Sequence, residues 1–503
     1  MGRSFLVAGL GAMMLFALAP APARAESVFD RYFSGSHLNF ELSDDEITGT
    51  SKFEAETELR FRYEDVSAFL RLSNDRPFPY QTGPFEIAKR GVSYRLSDDW
   101  KVTAGDFSLV FGRGTALDAV EDRPVDRDAQ LDGGLVEGDL GFCDITAFWG
   151  RHKSDHFGTF VGGVNTDEGG PADDLMGARL DFDFDDFDIG AGWVNADMTR
   201  FFQQMSTTVT EIDASYRIDD FTLYYETAWF NRDEPEGIEE SMDGRAQLAE
   251  VLYGRRGLSL SGSWVRYDKA GFDYATAPSL RRVDVDHSEA DPNDEKGYRF
   301  ECRLSPRSWN GHSLYAHYSD LNGLKTKGRA FRNYFFEWSS DPTEDWSGSV
   351  SYDRVSGLLL SYGALQGTDE SYRAALDGPF PLGGSFHLYG RYRLLKSAPV
   401  GDSRMDDDEV ELGFDWHVNP DFTVGLFRET STRDIEPPPP GLIGIPTESP
   451  GEWNSAFVRW APDPLTQVEL TIGSQRGGFQ CSGGVCAQLP PFKGVRFTYY
   501  RLL

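Results

Sequence analysis

The densest group of side chains able to do chemistry lies between Val102 and Gly134. A strand-like run ends at Phe111-Gly112-Arg113-Gly114. Glu121, Asp122, Arg123, Asp126, Arg127 and Asp128 then follow within one polar stretch, before strand alternation is expected to resume near Leu135. Carboxylates and guanidiniums at this density can pair with one another, line a water-filled path, or select ions by charge. They cannot lie against lipid, where each would cost several kcal/mol. Gly112 and Gly114 allow the sharp reversal that an inward fold needs. Two placements follow for Arg113 and the six residues after it: a constriction inside a lumen, or an external loop. Clusters of carboxylates in a pore favour cations, so the lumenal placement implies a cation-preferring path.

Other chemistry is sparse. His152 and His156 have a spacing that chelates metal on a helix, but they straddle a strand end and a loop. The acidic run Asp284–Glu295 lacks the glycine and spacing of a calcium loop and reads as a solvated loop. There is no phosphate loop, nucleophile elbow or zinc motif. No catalytic residue, metal site or cofactor is implied. Cys481 and Cys486, in C-S-G-G-V-C within a long loop, suit a local disulfide in an oxidising compartment. Cys143 and Cys302 sit on apolar strand faces and are expected to be free, lipid-facing thiols.

The elements that must position these residues are strands. In Phe53–Tyr63, Phe53, Ala55, Thr57, Leu59, Phe61 and Tyr63 alternate with Glu54, Glu56, Glu58, Arg60 and Arg62. Such a period of two marks a strand with one apolar and one wet face. Similar strands recur along the chain, joined in turn by tight turns (Ser97–Asp99, Asp185–Asp186, Asp219–Asp220, Asn419–Asp421) and long polar loops. The long connections include Asn74–Pro84, Lys153–Asp173, Asp268–Lys296 and Thr430–Gly451. Short turns at one end and long external loops at the other describe a transmembrane antiparallel up-and-down β-barrel. The parse gives an all-β chain of about 24 strands, or about 22 if one hairpin is miscounted.

Residues 1–25 carry Arg3, an apolar run from Phe5 to Leu18 and an exit at Ala23-Arg24-Ala25, the pattern of a cleaved secretory signal. The barrel is then expected over 26–503. A formal charge of −32 repels phosphate backbones and argues against nucleic acid as a partner. It suits a saline habitat, an acidic lumen, or cation-bridged contact with lipopolysaccharide.

The run from Gly105 to Gly133 resembles the signature of an uncharacterised family of outer-membrane β-barrel proteins best known from Bacteroidota. The matching positions are Gly105, Asp106, Phe107, Phe111, Gly112, Gly114, Glu121, Arg123, Asp128 and Gly133. The resemblance implies the barrel and assigns no activity. The sequence therefore leads to a non-enzymatic, porin-like outer-membrane channel or transporter with an acidic lumen narrowed by residues 111–134. The alternative is a surface scaffold or envelope-complex partner with a closed lumen. Expected partners are outer-membrane lipid, lipopolysaccharide and, during biogenesis, the barrel-assembly machinery.

Overall fold

The computed structural model describes residues 36–45, 50–74, 86–122, 127–152, 172–200, 203–233, 243–272, 274–275, 278–280, 294–324, 330–343, 345–359, 365–397, 406–432, 451–476, 478–482, 485–489 and 492–502. Residues 1–25, His156, Arg123, Asp126 and most of the acidic run 284–295 lie outside them. A 24-stranded antiparallel sheet closes on itself: His37–Asp45 pairs with Thr50–Tyr63 on one side and with Phe492–Leu502 on the other. Every strand between pairs with its sequence neighbours, so the topology is up-and-down throughout. Among the described residues no helix is long and apolar enough to cross a membrane.

Alternation sets the two faces. Gly192, Trp193 and Val194 in Phe187–Arg200 stand opposite Glu211, Thr210 and Val209 in Gln203–Ile218. Trp193 and Ile212 are 40% and 50% exposed, whereas Glu211 and Val209 are buried. Because side chains alternate, the first pair faces out and the second faces in. Trp229, Trp264, Phe300, Tyr334 and Phe336 continue the outward aromatic surface around the wall. Cys302 shares this face with Phe300 and is half-buried, whereas Cys143, just ahead of Asp144–His152, is buried by protein rather than lying open to lipid.

The tight turns follow from their residues. Glu64, Asp185 and Asp219 take the left-handed conformation at φ 49°, 43° and 50°. A positive φ at the first turn residue matches the twist of the flanking strands, and the short polar side chains of Asp185 and Asp219 tolerate it.

The interruption spans 108–130 rather than 111–134. Leu131 pairs with Phe107, Gly133 with Gly105 and Gly134 with Ala104, so the strand Leu131–Asp139 begins before Leu135. Gly133 and Gly134 have no side chains to show the alternation, which places the apparent start too late. Within the interruption, Leu109–Phe111 pairs with Leu117–Ala119, and Glu121–Asp122 with Arg127–Asp128. A second correction concerns Asp268–Lys296. Its described part turns inward instead of forming an external loop, and Ala270, Phe272, Tyr274 and Leu280 are buried. Their apolar rings and methyls cover an inner wall that is itself apolar.

Candidate functional site

The inner wall differs from a polar lumen along one arc. Leu175, Val194, Val209, Ala228, Leu248 and Val265 all face inward and are 0–1% exposed. They form one core with Phe111, Ala116, Leu117, Ala119, Ala129 and Leu131 of the interruption and with Phe272, Tyr274 and Leu280 of the second segment. Fully burying Phe111 alone contributes about 1.5–3 kcal/mol. Its ring meets Phe148 edge-on at 5.9 Å, and the Arg179 guanidinium lies 5.9 Å from its centroid.

The reversal at Gly112 is held by buried carboxylates. Gly112 has φ 55°, and a Cβ there would overlap the carboxylates of Glu211 and Glu226. Glu226 is fully buried and accepts from the Arg113 amide at 3.0 Å, the Tyr224 hydroxyl at 2.8 Å and the Thr115 hydroxyl. The Arg113 guanidinium sits 4.8 Å over the Tyr224 ring and 3.3 Å from Glu250. Arg179 balances part of the charge, with Nη1 2.9 Å from Glu211 and Nη2 2.7 Å from Asp213. Asp181, Glu211 and Asp213 thus share one guanidinium, while Glu226 is held separately by the Arg113 amide and the Tyr224 and Thr115 hydroxyls.

At its far end the segment reaches a different part of the wall. Arg71 donates Nη1 to Glu121 at 2.6 Å and Nη2 to Glu58 at 2.7 Å. The interruption therefore touches strands from Val66–Ser73 round to Gly244–Arg255. The Asp118 amide donates to the Tyr274 carbonyl at 2.6 Å, and the Tyr274 hydroxyl donates to Asp173 at 2.6 Å, which joins the two inward segments. Arg232 adds a further tie through the Lys269 carbonyl at 2.6 Å and the Gly271 carbonyl.

Of the residues singled out in sequence, Arg113 and Glu121 are brought onto the inner wall. Asp122 and Arg127 are backbone partners, as are Glu121 and Asp128. His152 is buried, with Nδ1 3.1 Å from the Gln130 carbonyl, and anchors the segment's exit. Sequence reasoning missed Glu211, Glu226, Tyr224, Arg179 and the whole 269–280 segment. The available signal was apolar residues on both faces of neighbouring strands, as in Ala228-Trp229-Phe230 and Trp264-Val265.

The arc facing the core is polar. Arg393 binds Asp369 at 2.6 Å and Glu409 at 3.2 Å, and Arg476 binds Glu409 at 2.8 Å and Glu429 at 3.0 Å while lying 5.5 Å over Trp453. Arg391–Glu411 and Arg459–Glu469, each 2.8 Å, extend this ladder towards the turns.

Cys481 and Cys486 are partners in the hairpin Gly478–Ser482/Val485–Leu489. Antiparallel partners have Cα atoms ~4.5–5.5 Å apart, inside the ~4.4–6.8 Å that a disulfide spans. Non-reducing peptide mapping is expected to find these two joined and Cys143 and Cys302 reduced. A mapped Cys143–Cys302 bridge would contradict the wall described above.

Residues 59–290 match the profile of a family of unknown function (DUF6029), a span that contains the whole interruption. No curated protein matches the chain. Among solved structures, an E. coli P pilus tip assembly intermediate, PapC-PapD-PapK-PapG, aligns with a TM-score of 0.50 at 12% identity, covering 95% of this chain and 61% of that one. The copper transporter OprC aligns with a TM-score of 0.45 at 9% identity over 93% of this chain and 80% of its own. Pseudomonas aeruginosa OccK11 (OpdR) aligns with a TM-score of 0.38 at 12% identity over 74% and 97%. At these identities the likeness concerns the barrel fold.

Proposed function

We propose that the chain is a non-enzymatic outer-membrane channel or transporter whose lumen is narrowed by residues 108–130 and keeps an acidic, cation-preferring path. The observation that carries this reading is the seating of the segment. Its ends stay in the barrel wall at Phe107 and Leu131, while Phe111 and Leu117 are fully buried against inward-facing strands. The fold resemblance to outer-membrane barrels supports the location. The polar arc at Asp369, Arg393, Glu409 and Glu429 supports a water-lined route beside the covered arc. Excess carboxylate over guanidinium along such a route favours cations.

A second reading, a closed barrel serving an envelope complex, draws on the 269–280 segment, which adds Tyr274 and Leu280 to the same filling. Purified protein should fractionate with outer membranes and migrate faster unboiled than boiled. In planar bilayers it should show discrete conductance steps with a reversal potential on the cation side. Heat-shifted protein that never conducts would leave the closed reading standing; a soluble, unshifted protein would sink both.

A further inference from the structure

The outer wall carries a hollow between the strands Asp406–Asn419, Phe422–Ser431, Gly451–Asp463 and Thr466–Gln475. Phe414, Leu426, Ala456 and Ile472 lie in one row across four adjacent strands, and Leu412, Arg428 and Asn454 form the row above it, nearer the long connections. Leu412, Leu426 and Ile472 are 52–55% exposed, and the small Ala456 between the last two leaves a groove of about 550 Å³. That volume lies within the ~300–1,000 Å³ typical of small-molecule sites. The groove is apolar along most of its length, and its polar lining, Arg428, Asn454 and the adjoining Ser455, lies towards one end.

We propose that this hollow binds an acyl chain of a phosphorylated outer-leaflet glycolipid, with Arg428 and Asn454 holding its phosphate. The inference rests on the outer-membrane reading above. Three observations select this occupant. The polar end lies on the side of the long connections, in the half of the wall where outward-facing ion pairs also stand at Arg151–Asp174, Arg332–Asp320 and Arg354–Glu370. That side is the external one in such barrels, so the leaflet is the outer one. Arg428 meets Glu452 at 3.1 Å, but the two are 56% and 62% exposed. An ion pair this exposed is weak, and the guanidinium has five N–H donors in a fork that suits phosphate. A second copy of the chain fits less well. A stable interface needs about 800 Å² from each partner, and the Arg428–Glu452 pair would then be desolvated with it.

The test is native mass spectrometry of the full chain released from detergent after incubation with bis-phosphorylated lipid A, with dephosphorylated lipid A as the comparison. Wild type should retain one bis-phosphorylated lipid per chain. Ala456→Trp fills the hollow and should lower retention of both lipids about tenfold, a loss of ~1.4 kcal/mol. Arg428→Gln should remove the preference for the phosphorylated form while leaving the dephosphorylated lipid bound as before. Glu452→Gln removes a repelling carboxylate and should strengthen phosphorylated-lipid retention. Each variant is first checked for heat-shifted migration, which reads barrel formation independently. If wild type shows the heat shift yet retains no lipid A, or if Ala456→Trp binds as wild type does, the proposal fails and the barrel reading stands. A dimer dissociated by Ala456→Trp would give the hollow to a second copy and overturn the proposal. Absence of any heat shift in wild type would instead remove the reading on which it rests.

Discussion

Replacing Ala116–Ala129 with a short Gly/Ser linker should raise single-channel conductance severalfold and weaken cation preference. The replaced stretch contributes Ala116, Leu117, Ala119 and Ala129 to the core and carries Glu121 to Arg71. The barrel itself should survive, because Phe107 and Leu131 remain paired and the neighbouring strands keep their register. The variant is expected to keep its heat-shifted migration, and reversal potentials in a salt gradient read the change in selectivity. Conductance equal to wild type in a heat-shifted variant would mean that residues 116–129 do not narrow the lumen and would place them outside the conducting path.

The second large effect is expected at one glycine. Gly112→Val places a β-branched residue at φ 55° and drives its side chain into the Glu211 and Glu226 carboxylates. The backbone conformation alone costs about 1–2 kcal/mol for a residue with a Cβ, and the overlap adds to it. Glu226→Ala attacks the same seat from the wall. It leaves the Arg113 amide and the Tyr224 and Thr115 hydroxyls without their acceptor, at about 1–3 kcal/mol for each donor left buried. Both variants should release the segment, so limited proteolysis cuts within 108–130 and conductance becomes larger and noisier. Protease resistance equal to wild type in both would mean that the seat at Glu226 does not hold the segment.

These two predictions mark where the sequence was informative and where it was silent. Glu56, Glu58 and Arg60 alternate with apolar neighbours, and the structure puts Glu58 and Arg71 together on the inner wall. Alternation is a local property, so strand count and facing were readable. What the interruption would touch was not readable, because Glu226 lies about a hundred residues away and its strand pattern resembles the others. The 269–280 segment stayed hidden for another reason. Phe272 and Tyr274 stand in a stretch rich in charge and Pro, whose composition matches a solvated loop. Only the apolar inner wall around Leu248 and Val265 shows that such a stretch has somewhere to go.

The seam between His37–Asp45 and Gly494–Leu502 sets the order of assembly. Every other strand pair joins neighbours in sequence, whereas this one joins positions more than 400 residues apart, the costliest loop closure in the molecule. Hairpins can therefore form progressively while this contact waits, leaving an open sheet with two unsatisfied edges. In lipid those edges are intolerable, since no solvent is there to satisfy their amides and carbonyls. Insertion ahead of closure therefore requires both edges to be covered until this seam pairs. A catalyst of insertion would act by pairing with one edge until the other arrives.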